Sequence, residues 1–141
     1  MFKSFMSSRN ILVSLMLFVA FCILAFAASV IGISDNPPGI ALAFLSTIAL
    51  VVAFVHPWRT SKQFRYLIYA SGLGFVLFAV LHNVFEAIAS KVGETSLAYG
   101  LLNGAGVTSF LIATLVCPSG LLVGAIGAAI MSSRDRRSRQ G

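Results

Sequence analysis

Residues 11–33, ILVSLMLFVAFCILAFAASVIGI, form a run of 23 positions without a charge. About 20 apolar residues, rising 1.5 Å each, cross the roughly 30 Å of hydrocarbon in a bilayer. This stretch therefore predicts a transmembrane helix. Two similar stretches follow at residues 39–58 and 66–89. A fourth apolar region, 97–131, is also free of charge, but as a straight helix it would run about 52 Å, too long for one simple crossing. Pro118 lies inside it, removing one backbone donor and crowding the carbonyl of Thr114, so a kinked or broken helix is expected there. Two full crossings would leave about 14 residues for the second, short of a span. The expected arrangement is one crossing over 106–132, with 97–105 an outer extension or interfacial segment and 133–141 a basic tail. The predicted fold class is an all-α integral membrane protein, a four-transmembrane-helix bundle in a single domain over residues 1–141.

Composition agrees with this reading. The chain of 141 residues is 58% hydrophobic and 10% charged, against about 45–50% and about 25% in soluble domains. Mean hydropathy is +0.95. These values exclude a disordered chain, a nucleic-acid-binding arm and most soluble enzymes. The connections between spans are short. Ser34-Asp35-Asn36-Pro37-Pro38-Gly39 reads as a tight turn that no helix runs through. Residues 59–64, RTSKQF, read as a basic loop, and 90–96, SKVGETS, as a polar one.

Lys and Arg collect on the cytoplasmic side of membrane proteins. With four spans, Lys3, Arg9, Arg59, Lys62, Arg65, Arg134, Arg136, Arg137 and Arg139 share one side, nine of the ten basic residues. Lys91 lies on the other, toward Asp35, Glu86 and Glu94. Both termini are therefore expected in the cytoplasm, with the plasma (inner) membrane as the location. A secretory signal peptide cut after Ala25-Phe26-Ala27 is the alternative for the first span. The apolar run continues to Ile33, long enough to be retained as an anchor. A lipoprotein reading at Cys22 fails because bulky Phe21 precedes it.

An ionisable side chain inside a span is a functional candidate by default. The chain carries one such group, His82-Asn83-Val84-Phe85-Glu86. His82 and Glu86 stand one turn apart on one helix face. They suit a proton relay, a cation site completed by Asn83, or a hydrogen-bonded packing lock at the outer boundary. His56, in Val55-His56-Pro57-Trp58, belongs to the opposite boundary, where Trp58 and Arg59 read as an interfacial anchor. The depth between the two histidines excludes a haem held by both; a pigment or haem on one of them is the weaker alternative. Cys22 and Cys117, both near mid-membrane, read as two buried apolar thiols, with a disulfide between them the open alternative. No metal site is expected, since three or four ligands are needed. No nucleophile, P-loop or metalloprotease motif is present, so no enzyme activity and no cofactor are expected. Small multidrug-resistance transporters also have four spans, but their essential glutamate lies in the first helix, and this first span has no acid.

Small residues recur at helical spacing in Gly120-x-x-x-Gly124-x-x-x-Ala128, continued by Ser132, and in Gly100-x-x-x-Gly104. A weaker instance is Ala70-x-x-x-Gly74. Such stripes let helices approach closely in lipid, within the chain or between chains. Arg134, Arg136, Arg137 and Arg139 suit anionic lipid headgroups, whereas six residues without aromatics make no nucleic-acid surface. The expected function is non-enzymatic: an accessory or structural subunit of a membrane complex, or a homo-oligomeric scaffold. The alternative is a small ion, proton or solute transporter built on His82, Asn83 and Glu86.

Overall fold

The computed structural model describes residues 8–33 and 36–137, and every regular element among them is helical. Lys3, Asp35 and Arg139 lie outside the described residues. Four helices are long and apolar enough to cross a membrane, which points to a membrane location.

Helix α1 covers Ser8–Ile31 and α2 covers Pro37–Val55. Helix α1 stops two residues before the apolar run does, because Gly32 takes a left-handed φ of 86°, a conformation that caps helices and that glycine adopts without a Cβ penalty. Asn36 closes the turn by donating Nδ2–H to the Ile31 carbonyl at 2.9 Å. Pro37 and Pro38 do not precede the next helix but begin it. Proline is tolerated in a first turn, where its missing N–H would have no partner anyway. Gly39 packs directly on the Gly32 carbonyl, a position no Cβ can share.

Helix α3, Ser61–Ala89, starts five residues earlier than its apolar run. The RTSKQF segment is thus a cap and a first turn, not a loop. Gln63 Oε1 accepts from the amides of Arg59 and Thr60 and from the Thr60 hydroxyl. Its sequence signature is Thr-x-x-Gln, which satisfies orphan donors at a helix start.

The fourth helical segment is a single rod from Leu97 to Arg137, 41 residues long. It consists of α4 (Leu97–Leu111), a π-helical turn (Ile112–Val116) and α5 (Cys117–Arg137). The helix is not broken at Pro118, and residues 97–105 run on continuously into the rest of the segment. Ser96 caps the start, its Oγ accepting from the Tyr99 amide at 3.1 Å. The π-turn widens the ladder immediately before the proline, with the Cys117 amide reaching Ile112 O five residues back. Pro118 is absorbed by this change of hydrogen-bond register, as π-bulges do inside longer helices.

The helices pack as an open series. Among the described helices, α1 packs on α2 alone, α2 also touches the π-turn and α5, and α3 lies along α4, the π-turn and α5. The buried residues are mostly small or hydroxylic: Ala28, Ala43, Ala53, Ala113, Ser46, Thr47, Ser71, Ser109 and Ser119, with Phe64 the one large ring. Such residues allow close backbone approach and hydrogen bonds between helices, the terms that hold helices together where the surroundings are as apolar as their own side chains. The tie between the two halves is Thr47 Oγ1 to Ser119 Oγ at 2.8 Å, with Ser119 only 1% exposed. Either hydroxyl can be the donor, and Thr47 Oγ1 also lies 2.9 Å from the Phe44 carbonyl and 3.4 Å from that of Leu115.

Candidate functional site

His82 and Glu86 sit in the last third of α3, opposite the first half of the long rod. The His82 Nδ1 lies 3.1 Å from Gly106 O. A carbonyl cannot donate, so this contact fixes the proton on Nδ1 and turns Nε2 outward. Nε2 then lies 3.7 Å from Glu86 Oε2, an ion-pair distance when the ring is protonated and too long for a hydrogen bond. The ring also packs at 5.2 Å and 51° on Phe110. His82 side-chain exposure is 29%, but that of Glu86 is 72%. The histidine is thus a link between α3 and α4, and the glutamate projects to the outside.

Asn83 does not join them. Its Nδ2 donates to the Ala79 carbonyl of its own helix at 2.7 Å. Among the described residues, no three His, Cys, Asp or Glu side chains converge as a metal site would require. Counting from the Thr47–Ser119 tie at about 1.5 Å per residue, Gly106 lies about 20 Å along the rod, while the Pro37 turn lies about 15 Å along α2. By this count the His82–Gly106 link lies about one turn beyond the start of α2, and the α3–α4 hairpin continues past it.

His56 stands at the other end, at the C-terminus of α2. Its Nδ1 donates to the Ala53 carbonyl at 3.2 Å, and its Nε2 is buried without a hydrogen-bond partner. Arg59 Nη1 reaches back to the carbonyls of His56 and Trp58, and Trp58 meets Phe64 edge-on at 5.4 Å. His82 is 21 residues along α3 from Ser61, about 32 Å, so the two imidazoles occupy opposite ends of the molecule. Of the two thiols expected to be buried, only Cys117 is; Cys22 is exposed because α1 packs on one neighbour and leaves most of its surface uncovered, and both thiols are free.

The two glycine stripes have different surroundings. Gly120 faces Ser71, and Gly124 faces Ile68 and the Phe64 carbonyl of α3. The same face continues through Ala128, whose carbonyl accepts from Ser61, to Ser132, whose Oγ lies 2.9 Å from Ser61 Oγ. Gly74 of α3 makes room for Cys117 Sγ. Gly100 and Gly104 meet nothing within 4 Å.

Sequence reasoning missed an apolar cleft of about 640 Å³ between α1, α2 and the rod, lined by Phe21, Ala25, Gly32, Ala43, Thr108 and Leu115 among others. Four hydroxyls also line it, Ser29, Ser46, Thr47 and Thr108. Each is engaged with helix carbonyls, those of Phe26, Ala43, Phe44 and Gly104 respectively. The cleft thus offers hydrocarbon contact and no spare donor. Its walls come from three helices, and no local pattern in any one of them marks it.

The basic residues gather at one end. Ser14 Oγ donates to Ala53 O, which pairs the start of α1 with the end of α2. The Ser61–Ser132 contact likewise pairs the start of α3 with the end of α5. Arg9, Arg59, Lys62, Arg65, Arg134, Arg136 and Arg137 accordingly share this end, with Lys91, Glu94 and Glu86 at the other. No family model matches the chain, and no curated protein and no solved structure matches it.

Proposed function

We propose that the chain is a non-enzymatic, multi-pass protein of the plasma (inner) membrane, with its basic end in the cytoplasm. In this reading it serves as a structural or accessory subunit of a membrane complex or as a homo-oligomeric scaffold. The observation that carries the reading is the open packing. Among the described helices α1 packs on α2 alone, and the cleft beside it offers only apolar contact, its hydroxyls already turned onto backbone carbonyls. A further helix suits such a face through dispersion and close approach, the terms that associate helices in lipid. Extraction in mild detergent or directly into lipid nanodiscs, followed by mass measurement, tests this. Assemblies above the 15.0 kDa chain mass are expected. A lone, monodisperse monomer with no co-purifying protein would refute it.

One observation favours a second reading, transport. The outward Nε2 of His82 and Glu86 Oε2 stand 3.7 Å apart on the α3–α4 hairpin, where a proton or cation passing between water and the helix pair would meet both. Reconstituted vesicles should then show a flux that Glu86→Gln alters. Flux that is absent, or unchanged in the variant, removes this reading.

A further inference from the structure

At the basic end, the close packing of α3 on α5 builds a small cleft from residues far apart in sequence. About 240 Å³ in volume, it is lined by Ser61 and Arg65 of α3 and by Ser132, Asp135 and Arg136 of α5. Ser61 Oγ and Ser132 Oγ, 2.9 Å apart, bridge the two helices here. Two arginines and one aspartate are thus among its five lining residues, and the N-terminus of α3 adds the positive end of its dipole. Arginine presents a planar fork of donors that matches the oxygens of a phosphate.

The surroundings indicate which kind of phosphate arrives. Tyr66 and Tyr69, next to Arg65 and one turn further along α3, are 60% and 70% exposed, and Lys62 Nζ lies 5.9 Å from the Tyr66 ring centre. Exposed tyrosines flanked by basic residues are typical of the headgroup level of a bilayer. Beyond them the outer face of α3 continues with Leu73, Val76 and Val80, all exposed, a surface suited to acyl chains.

We propose that Arg65 and Arg136 form a headgroup site for an anionic phospholipid, whose phosphate sits between the two guanidinium groups while its chains lie along α3. This narrows a diffuse attraction of the basic tail to one cleft, and it does not depend on the scaffold reading.

The test uses the full chain in vesicles of mixed phosphatidylcholine and phosphatidylglycerol, with spin-labelled lipids reporting the preference for the anionic headgroup. Arg65→Gln and Arg136→Gln should each lower that preference by about tenfold, the effect of one charge-assisted hydrogen bond. The double variant should lose little more. Arg65→Lys keeps the charge but loses the fork, and should also weaken the preference. Arg9→Gln and Arg137→Gln, outside the cleft, should each lower it by no more than about fivefold, the contribution of one basic residue near an anionic surface. Equal losses from all four arginine variants would overturn the site in favour of diffuse attraction. Displacement of the labelled lipid by millimolar inorganic phosphate would overturn the lipid assignment in favour of a free anion. Helix content measured on each variant checks folding, and either single variant suffices if the other fails to fold.

Discussion

Gly124→Leu should separate α3 from the long rod. A Cβ at position 124 would lie 2.8 Å from Ile68 Cγ1, 3.2 Å from the Phe64 carbonyl oxygen and 3.3 Å from the Ile68 amide nitrogen. Carbon atoms pack best at about 3.5–4.0 Å. The Ile68 side chain can turn aside, but the backbone of α3 cannot. Three further carbons then push the axes apart by on the order of 1–2 Å, toward the wider end of the 8–10 Å range for helix pairs. The Ser61–Ser132 contact, two turns away at 2.9 Å, does not survive that shift. Overpacking of this kind costs about 1–3 kcal/mol. Cysteines replacing Ser61 and Ser132, in a chain with Cys22 and Cys117 changed to alanine, provide the assay. They should oxidise readily in the parent, since disulfide formation needs Cβ atoms about 3.5–4.5 Å apart, and poorly with leucine at 124. Gly104→Leu is the control. It meets nothing within 4 Å and gains most of the roughly 1 kcal/mol by which glycine disfavours a helix, so it should leave cross-linking intact. Equal cross-linking in both variants would refute the assignment of the 120–132 stripe to the intramolecular contact.

The link between the two halves and the histidine tie allow two smaller tests by unfolding in denaturing detergent. Thr47→Val and Ser119→Ala should each cost about 0.6–1.7 kcal/mol, the range for hydrogen bonds between helices in lipid. The double variant should cost less than their sum, because both remove one interaction; strict additivity would show that the hydroxyls act separately. His82→Leu should cost about 1 kcal/mol through loss of the bond to Gly106 O, whereas Glu86→Gln, at an exposed position, should stay within about 0.5 kcal/mol. A Glu86→Gln cost equal to that of His82→Leu would show that the Glu86 carboxylate, one turn away on the same helix, holds the ring in place as much as the Gly106 carbonyl does.

Much of the site description was legible in local spacing. His82 and Glu86 meet because four residues make about one helical turn, and Gly120, Gly124 and Ser132 share a face for the same reason. Asn83 was grouped with them by proximity in sequence, but one residue is about 100° of helix rotation, and its amide found the Ala79 carbonyl instead. The Thr60–Gln63 cap was written plainly in the sequence as Thr-x-x-Gln; reading RTSKQF by charge alone hid it. The π-turn was not legible. A proline inside an apolar run can kink a helix or shift its hydrogen-bond register, and the choice depends on how the neighbouring helices hold the rod.

By itself, the run at residues 11–33 and its three companions determined how many helices are long and apolar enough to cross a membrane, because hydrocarbon thickness fixes a length that any sequence can be measured against. Charge spacing likewise determined which ends lie together, since antiparallel neighbours alternate ends whatever their packing. Tertiary structure alone decided that α1 packs on α2 and on no other described helix, that the 120–132 stripe faces α3 while Gly100 and Gly104 stay uncovered, and that Arg65 and Arg136 line one cleft. Those outcomes turn on which faces of nearly all-apolar helices oppose one another. Where every face is apolar, hydropathy cannot rank them, and the fit of small side chains and a few hydroxyl bonds makes the choice.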